Sequence, residues 1–112
     1  MAFRMKRRFV ATGLVMCALA FGASSRPVAA ETLHASMANL AFVDVPATAR
    51  VGDVIEWTNK DFVVHTVTAR DGSFDVTIAP GKTGRTVLRK PGKTPFYCRF
   101  HPTMTGAIDV TP

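Results

Sequence analysis

The stretch "VIEWTNKDFVVHTVTA", residues 54–69, decides the fold class of this chain. It contains two short runs, "VIEWTN" (54–59) and "VVHTVTA" (63–69), that are rich in β-branched and aromatic residues. Between them lies the polar segment "NKDF", whose composition is typical of a turn. Short runs of this kind, bounded by turn residues, favour β-strands. The stretch therefore predicts two strands joined by a short loop.

The same pattern continues in both directions through the rest of the chain. Turn segments, several of them with glycine (Gly52, Gly72, Gly81 and Gly92), separate five further strand-like runs: "LHASMANLAF" (33–42), "FDVTIA" (74–79), "TVLRK" (86–90), "PFYC" (95–98) and "GAIDVT" (106–111). Turn signals every 8–12 residues or so are typical of small sandwiches and barrels. The sequence predicts an all-β fold, a small antiparallel Greek-key β-sandwich or barrel of about seven to eight strands.

Residues 1–30 have the composition of a secretory signal. An apolar run (9–23) and a small-residue end, "VAA" (28–30), follow a basic start formed by Arg4, Lys6, Arg7 and Arg8. The apolar run is short for a permanent membrane anchor. We expect cleavage before Glu31, which leaves one domain, residues 31–112, as a soluble protein in the periplasm or otherwise exported. The segment "KRRFV" is only a degenerate twin-arginine motif, so the sequence does not separate this export route from the Sec route.

The charge of the chain follows largely from this N-terminal segment. The full chain has a formal net charge of +6 with 14 basic and eight acidic residues. Five basic residues and no acidic ones lie in residues 1–30, which leaves nine against eight and a net charge of about +1. The remaining domain has no basic cluster interleaved with aromatic residues. Nucleic acid and membrane surfaces are therefore not expected as partners.

Cysteine usage raises a separate question. Cys17 leaves with the predicted signal, so Cys98 is alone in an oxidising compartment, where thiols normally pair. An intermolecular disulfide, an inert buried thiol, a nucleophile and a metal ligand are all open at this point.

The segment "PFYCRFHPTM", residues 95–104, sets Cys98, His101 and Met104 at steps of three. Pro102 within the run argues against a helix and favours a loop between two strands. A thiolate, an imidazole and a thioether are donors that suit copper. His65, which the pattern places in the middle of a strand, offers a second imidazole, although a histidine among valines can also be a hydrogen-bonded core residue.

Three other residues invite a functional interpretation that we do not adopt. His34 lacks apolar neighbours on both sides and is expected at the surface. Met37 lies on the first predicted strand and is less well placed than Met104 to complete a metal site. Trp57 is expected to be the large central hydrophobe of the core.

A strand histidine followed by a Cys-x2-His-x2-Met loop resembles the type 1 blue-copper proteins, the cupredoxins, and the short loop is similar to that of amicyanins. The segments "GDVIEWTN", "RKPGKTPFYC" and "GAIDV" extend the resemblance over nearly all of residues 33–112. The resemblance implies one type 1 copper ion. It also implies that His65, Cys98 and His101 are the close trigonal ligands and that Met104 is the weak axial ligand.

The chain departs from amicyanins at two positions next to these residues. Thr66 stands where the family commonly has asparagine, and we expect it to brace the ligand loop by a shorter hydrogen bond that it donates. Phe100 stands where amicyanins have proline, so its backbone N–H can donate to the Cys98 thiolate. Arg99 and Thr103 also differ from the amicyanin pattern, which changes the surface around the loop.

The resemblance implies a one-electron carrier between redox proteins. His101 is expected to emerge between Phe100, Pro102 and Thr103, which form a small docking patch for transient partners. We expect a monomer, and the sequence does not identify the electron donor or acceptor.

Three other functions remain to be compared with electron transfer. A periplasmic carrier that binds Cu(I) for delivery could use the same residues. A cysteine nucleophile with His101 as base would need an orienting group and an oxyanion site that the sequence does not indicate. Copper oxidases and nitrite reductases place a histidine next to the cysteine, whereas the neighbours here are Tyr97 and Arg99. We therefore expect no enzymatic activity.

Overall fold

The computed structural model describes residues 10–24 and 28–112 and shows an all-β domain within residues 31–112. No helix occurs in the part of the chain that is described. Nine strands are present there, slightly more than predicted: β1 (Thr32–Ala38), β2 (Ala41–Val43), β3 (Thr48–Arg50), β4 (Val54–Asn59), β5 (His65–Ala69), β6 (Asp75–Ile78), β7 (Thr83–Val87), β8 (Gly92–Tyr97) and β9 (Thr105–Thr111). The predicted all-β class is confirmed.

The strands form two sheets with the orders β2-β1-β4-β7 and β3-β9-β8-β5-β6. Most neighbours are antiparallel as predicted, but β1 pairs with β4 and β3 pairs with β9 in parallel. The parallel β1–β4 pair arises because the intervening chain contributes β3 to the other sheet before it returns, and parallel neighbours require a crossover of this kind. The topology brings distant segments of the chain to the same sheet edges.

The run 33–42, predicted as one strand, is in fact a hairpin. Asn39 and Leu40 both adopt positive φ angles, 53° and 60°, and turn the chain between β1 and β2. Two consecutive residues with positive φ are typical of a tight hairpin turn. An apolar residue such as Leu40 does not indicate such a turn in the sequence. β3 was also missed because three residues carry too weak a pattern. The four predicted turn glycines, in contrast, all have positive φ.

The core is built around aromatic side chains from both sheets. Trp57 is fully buried as expected, and its ring lies edge-on to Phe96 with 5.3 Å between centroids. The indole N–H donates to Thr86 Oγ1 at 2.9 Å, so the large side chain is buried with its polar atom satisfied. Gly106 packs against the Phe96 ring, where an added Cβ would approach within 2.5 Å. Met37 is a fully buried core residue.

The chain before the domain is different in character. Residues 10–24 have no regular secondary structure, and their large apolar side chains, among them Leu14, Met16 and Phe21, are at least 80% exposed. The predicted basic start at Arg4–Arg8 and Phe9 lie outside the described residues. In the described ranges no helix is long and apolar enough to cross a membrane. Residues 10–23 of the apolar run thus contribute nothing to the folded core.

The ends of three neighbouring strands, β5, β8 and β9, place the predicted ligands at one end of the five-stranded sheet. β8 lies between β5 and β9 and is antiparallel to both. Tyr97, the last residue of β8, pairs with Thr68 of β5 and with Thr105, the first residue of β9. The residues that follow β8 therefore run beside the first half of β5, where Thr66 N–H donates to Cys98 Sγ. Cys98 directly follows β8, Met104 directly precedes β9, and His65 begins β5.

Candidate metal centre

Three of the predicted ligands converge on one point. Cys98 Sγ lies 3.7 Å from His65 Nδ1 and 3.6 Å from His101 Nδ1. The three potential ligand atoms all lie within 4.8 Å of one another, and the two imidazole rings are 5.0 Å apart between centroids. One sulfur and two imidazole nitrogens around a common point are the equatorial donors of a trigonal copper site. The donor set therefore fits copper.

The ligand loop from Cys98 to Met104 is closed by its own backbone. His101 N–H donates to Cys98 O, Met104 N–H donates to His101 O, and Cys98 N–H donates to Met104 O. These hydrogen bonds fold residues 98–104 into a compact turn. The turn agrees with the loop that Pro102 predicted. Met104 is 3% exposed and belongs to the core cluster at the base of the loop.

His65 was predicted in the middle of a strand, but it is the first residue of β5. The pairing of β5 with β6 begins at His65, which lies opposite Ile78. Residues 63 and 64 therefore belong to the preceding loop. The imidazole is fully buried. Its position at the strand end, next to the ligand loop, is what allows Nδ1 to face Cys98.

Asp61 orients the His65 ring, and the sequence analysis missed it. Its Oδ2 lies 2.8 Å from His65 Nε2. The same carboxylate accepts backbone N–H groups from Leu40 and Asn39 at 3.0 and 2.7 Å. These contacts, Leu40 first and His65 next, hold the pKa of Asp61 below its usual value despite partial burial. An ionised carboxylate only accepts, so Nε2 carries a proton, and the ring is held with Nδ1 facing Cys98.

A sequence signal for Asp61 existed in the turn "NKDF". An aspartate four residues before a candidate ligand histidine is within reach of its far ring nitrogen, and metal-binding histidines commonly donate that nitrogen to a carboxylate. The sequence does not indicate the second contact of this carboxylate, which accepts a hydrogen bond from the hairpin turn at Asn39, 22 residues earlier.

Cys98 lies in a setting that favours the thiolate. Burial raises the pKa of the thiol, but the Thr66 backbone N–H, the His101 and His65 side chains and the Phe100 backbone N–H together lower it to about 6. The Thr66 N–H donates to Sγ at 3.3 Å. Among the lowering contacts that of Phe100 is the weakest. In the described residues, Thr66 supplies the one backbone hydrogen bond to Sγ, so the second hydrogen bond from Phe100 stays a prediction. The thiolate is the form that binds metals.

Thr66 contacts the ligand loop, but with the opposite hydrogen-bond direction from the one predicted. The Arg99 N–H donates to Thr66 Oγ1 at 2.8 Å, so the threonine hydroxyl accepts. Thr68 donates its own proton to Asp75 at 2.7 Å, which makes Thr66 the donor in the 3.0 Å contact between the two hydroxyls. The Arg99 side chain also pairs with Asp75, at 3.3 Å. Arg99 thus ties the ligand loop to β5 through its backbone N–H and to β6 through its side chain.

The predicted docking residues are exposed. Phe100 is 51% exposed, Pro102 and Thr103 are exposed, and His101 is half-buried between them. The sequence analysis overlooked Phe62, which is 99% exposed on the loop that leads into His65. Phe62 was assigned to the turn "NKDF", where no apolar surface residue was expected. His34, by contrast, is exposed as expected and lies 3.7 Å from Glu56.

Comparison with known proteins agrees with this geometry. The model of the cupredoxin-like domain family matches residues 9–110. The methylamine utilization protein MauL of Methylorubrum extorquens is 30% identical over 100 residues, which cover 86% of this chain and 88% of that protein.

Two solved structures are similar in fold. The reduced state of a proline-to-phenylalanine mutant of amicyanin is 20% identical, covers 70% of this chain and 81% of its own, and has a TM-score of 0.61. The copper-containing nitrite reductase of Thermus scotoductus is 23% identical and has a TM-score of 0.63, with 72% of this chain matching only 22% of that chain. The extent of the family match and the relationship to MauL show that the chain belongs to the cupredoxin-like family.

Proposed function

We propose that this chain is an exported one-electron carrier in which His65, Cys98, His101 and Met104 hold a single type 1 copper ion. The observation that carries the proposal is the convergence of Cys98 Sγ and the two Nδ1 atoms within 4.8 Å. When bound, copper supplies the Cu(II)/Cu(I) couple. The axial role of Met104 is supported by its burial at the base of the loop and by the backbone bonds that join it to the two other loop ligands.

The protein residues keep the site in one arrangement. Asp61 holds His65, the Thr66 N–H holds the Cys98 sulfur, and the Thr66 hydroxyl holds the loop through Arg99. Side chains that are buried and bonded in this way cannot rearrange easily when the charge of the site changes. A site that changes little between oxidation states favours rapid electron transfer over release of the metal. A site of this kind suits an electron carrier better than a carrier that delivers Cu(I).

His101 is the proposed route for electrons. It is the least buried of the three clustered ligands and is surrounded by the docking patch of Phe100, Pro102 and Thr103. Phe62 adds a large apolar side chain on the neighbouring loop. A small exposed apolar surface suits weak, transient redox partners and a monomeric carrier.

We further propose that residues 1–30 are removed on export and that residues 31–112 are the working domain. The exposure of the apolar run and the position of all nine described strands after residue 31 support this division. Catalysis at a second copper is not part of the proposal, since Cys98 lacks the neighbouring histidine of copper oxidases and nitrite reductases. Similarity to the nitrite reductase is limited to the fold.

The test is to purify the exported protein, add Cu(II), and record the visible spectrum, the electron paramagnetic resonance spectrum and the voltammogram. We expect an intense copper–thiolate absorption and a reversible one-electron wave. Cys98→Ser should abolish the colour and His65→Ala should weaken copper binding strongly, while His34→Ala serves as the matched histidine control. A colourless protein that binds only Cu(I) and transfers it readily to a chelator would instead identify a copper carrier.

A further inference from the structure

Asp53 is a buried carboxylate at the end of the domain away from the metal centre. It is 5% exposed, and none of the ion pairs in the described part of the chain includes it. Its oxygens accept two backbone hydrogen bonds, from Glu31 N at 2.9 Å and from Arg50 N at 2.8 Å. The two N–H donors hold the pKa of Asp53 below its usual value, so the carboxylate is ionised. A cationic donor in place of one of these neutral donors would make a stronger, charge-assisted hydrogen bond with it.

The nitrogen of Glu31 is already fixed in place by the fold. Glu31 O accepts from Val54 N at 2.9 Å, directly before the first residue pair of the parallel β1–β4 ladder, Thr32 with Val54. The residues before it, Val28 to Ala30, are exposed and form no strand. The nitrogen that donates to Asp53 therefore belongs to a residue that β4 already holds, and Val28 and Ala29 line the hollow beside Asp53.

Processing would change the chemistry of this one atom. Hydrolysis of the Ala30–Glu31 bond adds one water and leaves a carboxylate on Ala30 and an amine on Glu31, which takes up a proton at neutral pH. The amide N–H at 2.9 Å from Asp53 becomes an ammonium group with three donors and a full positive charge. Charge-assisted hydrogen bonds are roughly twice as strong as neutral ones.

We propose that Asp53 is the binding site for the α-ammonium group of the processed chain, so that removal of residues 1–30 creates an ion pair that locks the start of β1. The inference rests on the proposed cleavage before Glu31. The mature domain is then more stable than the same domain with any residue still attached to Glu31.

The other charged groups at this end do not replace the ammonium. Arg50 of β3 acts on Asp53 only weakly through its charge, after the two backbone bonds. The Glu31 side chain is exposed. Its negative charge would strengthen the retention of a proton by the amine.

The test compares two forms released from a fusion protein without extra residues, one beginning at Glu31 and one beginning at Ala30. Both contain every described strand and every buried core residue, so each should fold. Nitrogen NMR should show that the Glu31 amine binds its proton at least tenfold more tightly than an ordinary α-amino group, whose pKa is about 7.7–8.0. Urea unfolding at pH 7 should give a folding constant at least tenfold larger for the form that begins at Glu31.

The sign of the pH dependence is also defined. The amine has a raised pKa in the folded state, so the extra stability is complete below its unfolded pKa and is lost as pH rises through the folded value. Asp53→Asn should abolish the difference between the two forms. If that variant does not fold, acetylation of the Glu31 amine in the wild-type form should remove the extra stability in its place.

An ordinary amine titration, or equal stability of the two forms, would overturn the inference. These results do not depend on copper or on processing in the cell, because both forms are made directly. The proposed cleavage is tested separately by the mass of the exported full-length product, which should begin at Glu31.

Discussion

Two aspartates flank β4, and each accepts hydrogen bonds from backbone N–H groups near one end of β1. They differ in the other groups that they contact. Asp53 accepts from Glu31 and Asp61 accepts from Asn39, and both donors lie 22 residues earlier. This is also the offset of the parallel β1–β4 register, in which Thr32 lies beside Val54. The carboxylates therefore close the two ends of one strand pair.

The difference between the two ends lies in the third contact. Asp61 also holds the His65 ring, whereas Asp53 has only a second backbone donor, Arg50 N. The strand β4 separates them by about 20 Å, given the usual rise of a strand. Only at the Asp61 end of β4 does the carboxylate that fixes the backbone also contact a residue of the candidate metal centre. The comparison predicts that the two carboxylates can be separated by experiment.

The largest expected difference is in copper affinity. Asp61→Asn should weaken copper binding by about 10- to 100-fold, because the ring proton and orientation of His65 are no longer held by a charge. Asp53→Asn should leave the affinity unchanged, as should Asp109→Asn, an exposed control. Competition with a chelator of known affinity measures this. Equal losses in the Asp61 and Asp53 variants would show that the end of β4 acts on the site only through the fold.

Stability without copper is the second measurement. Asp53→Asn should lower the free energy of unfolding at pH 7 by about 1–3 kcal/mol, since two backbone donors lose a charged acceptor. Backbone hydrogen bonds from Glu31 and Arg50 hold the pKa of Asp53 below its usual value. Its contribution is therefore present above the unfolded pKa, about 3.9, and is lost as pH falls through the folded value.

Urea unfolding at pH 7 and in acid distinguishes this effect from a simple loss of packing. The gap between wild type and Asp53→Asn should narrow in acid. A gap that is independent of pH would mean that the asparagine disturbs the fold for another reason.

The smallest expected effect concerns the reduction potential. Phe100→Pro removes the backbone N–H that contributes least to the lowered pKa of Cys98. The thiolate should then donate more strongly to Cu(II), and the potential should fall by tens of millivolts, on a scale where about 59 mV is a tenfold change. Voltammetry at fixed pH measures this, with Thr103→Ala as a loop control. A retained blue spectrum with an unchanged or raised potential would contradict the second hydrogen bond.

Local pattern was sufficient for most of the architecture. The run at 54–59 coincides with β4, and the alternation of short apolar runs with turns predicted the all-β class. It failed at the hairpin of Asn39 and Leu40, where the turn depends on positive φ angles supported by Asp61 from 22 residues away. It also failed at β3, which pairs in parallel with β9 and has only three residues in which to show a pattern.

The ligands and their supporting residues were predictable to different degrees. Cys98, His101 and Met104 lie within a segment of seven residues. Their spacing and Pro102 were therefore enough to predict a loop that brings them together. Thr66 was recognised from the family pattern, but its role as acceptor depends on where Arg99 and Thr68 lie. Asp61 was visible only as a turn residue.

The sequence by itself determined the donor types, the short ligand loop and the strand-rich composition, because these depend on side-chain chemistry and on neighbours along the chain. Only the tertiary structure decided that His65, 33 residues before Cys98, begins a strand beside the ligand loop. It also decided that two similar aspartates would face a candidate ligand histidine at one end of β4 and the start of β1 at the other. The reason is that sheet register, which joins residues more than 20 positions apart, is set by the packing of the whole core.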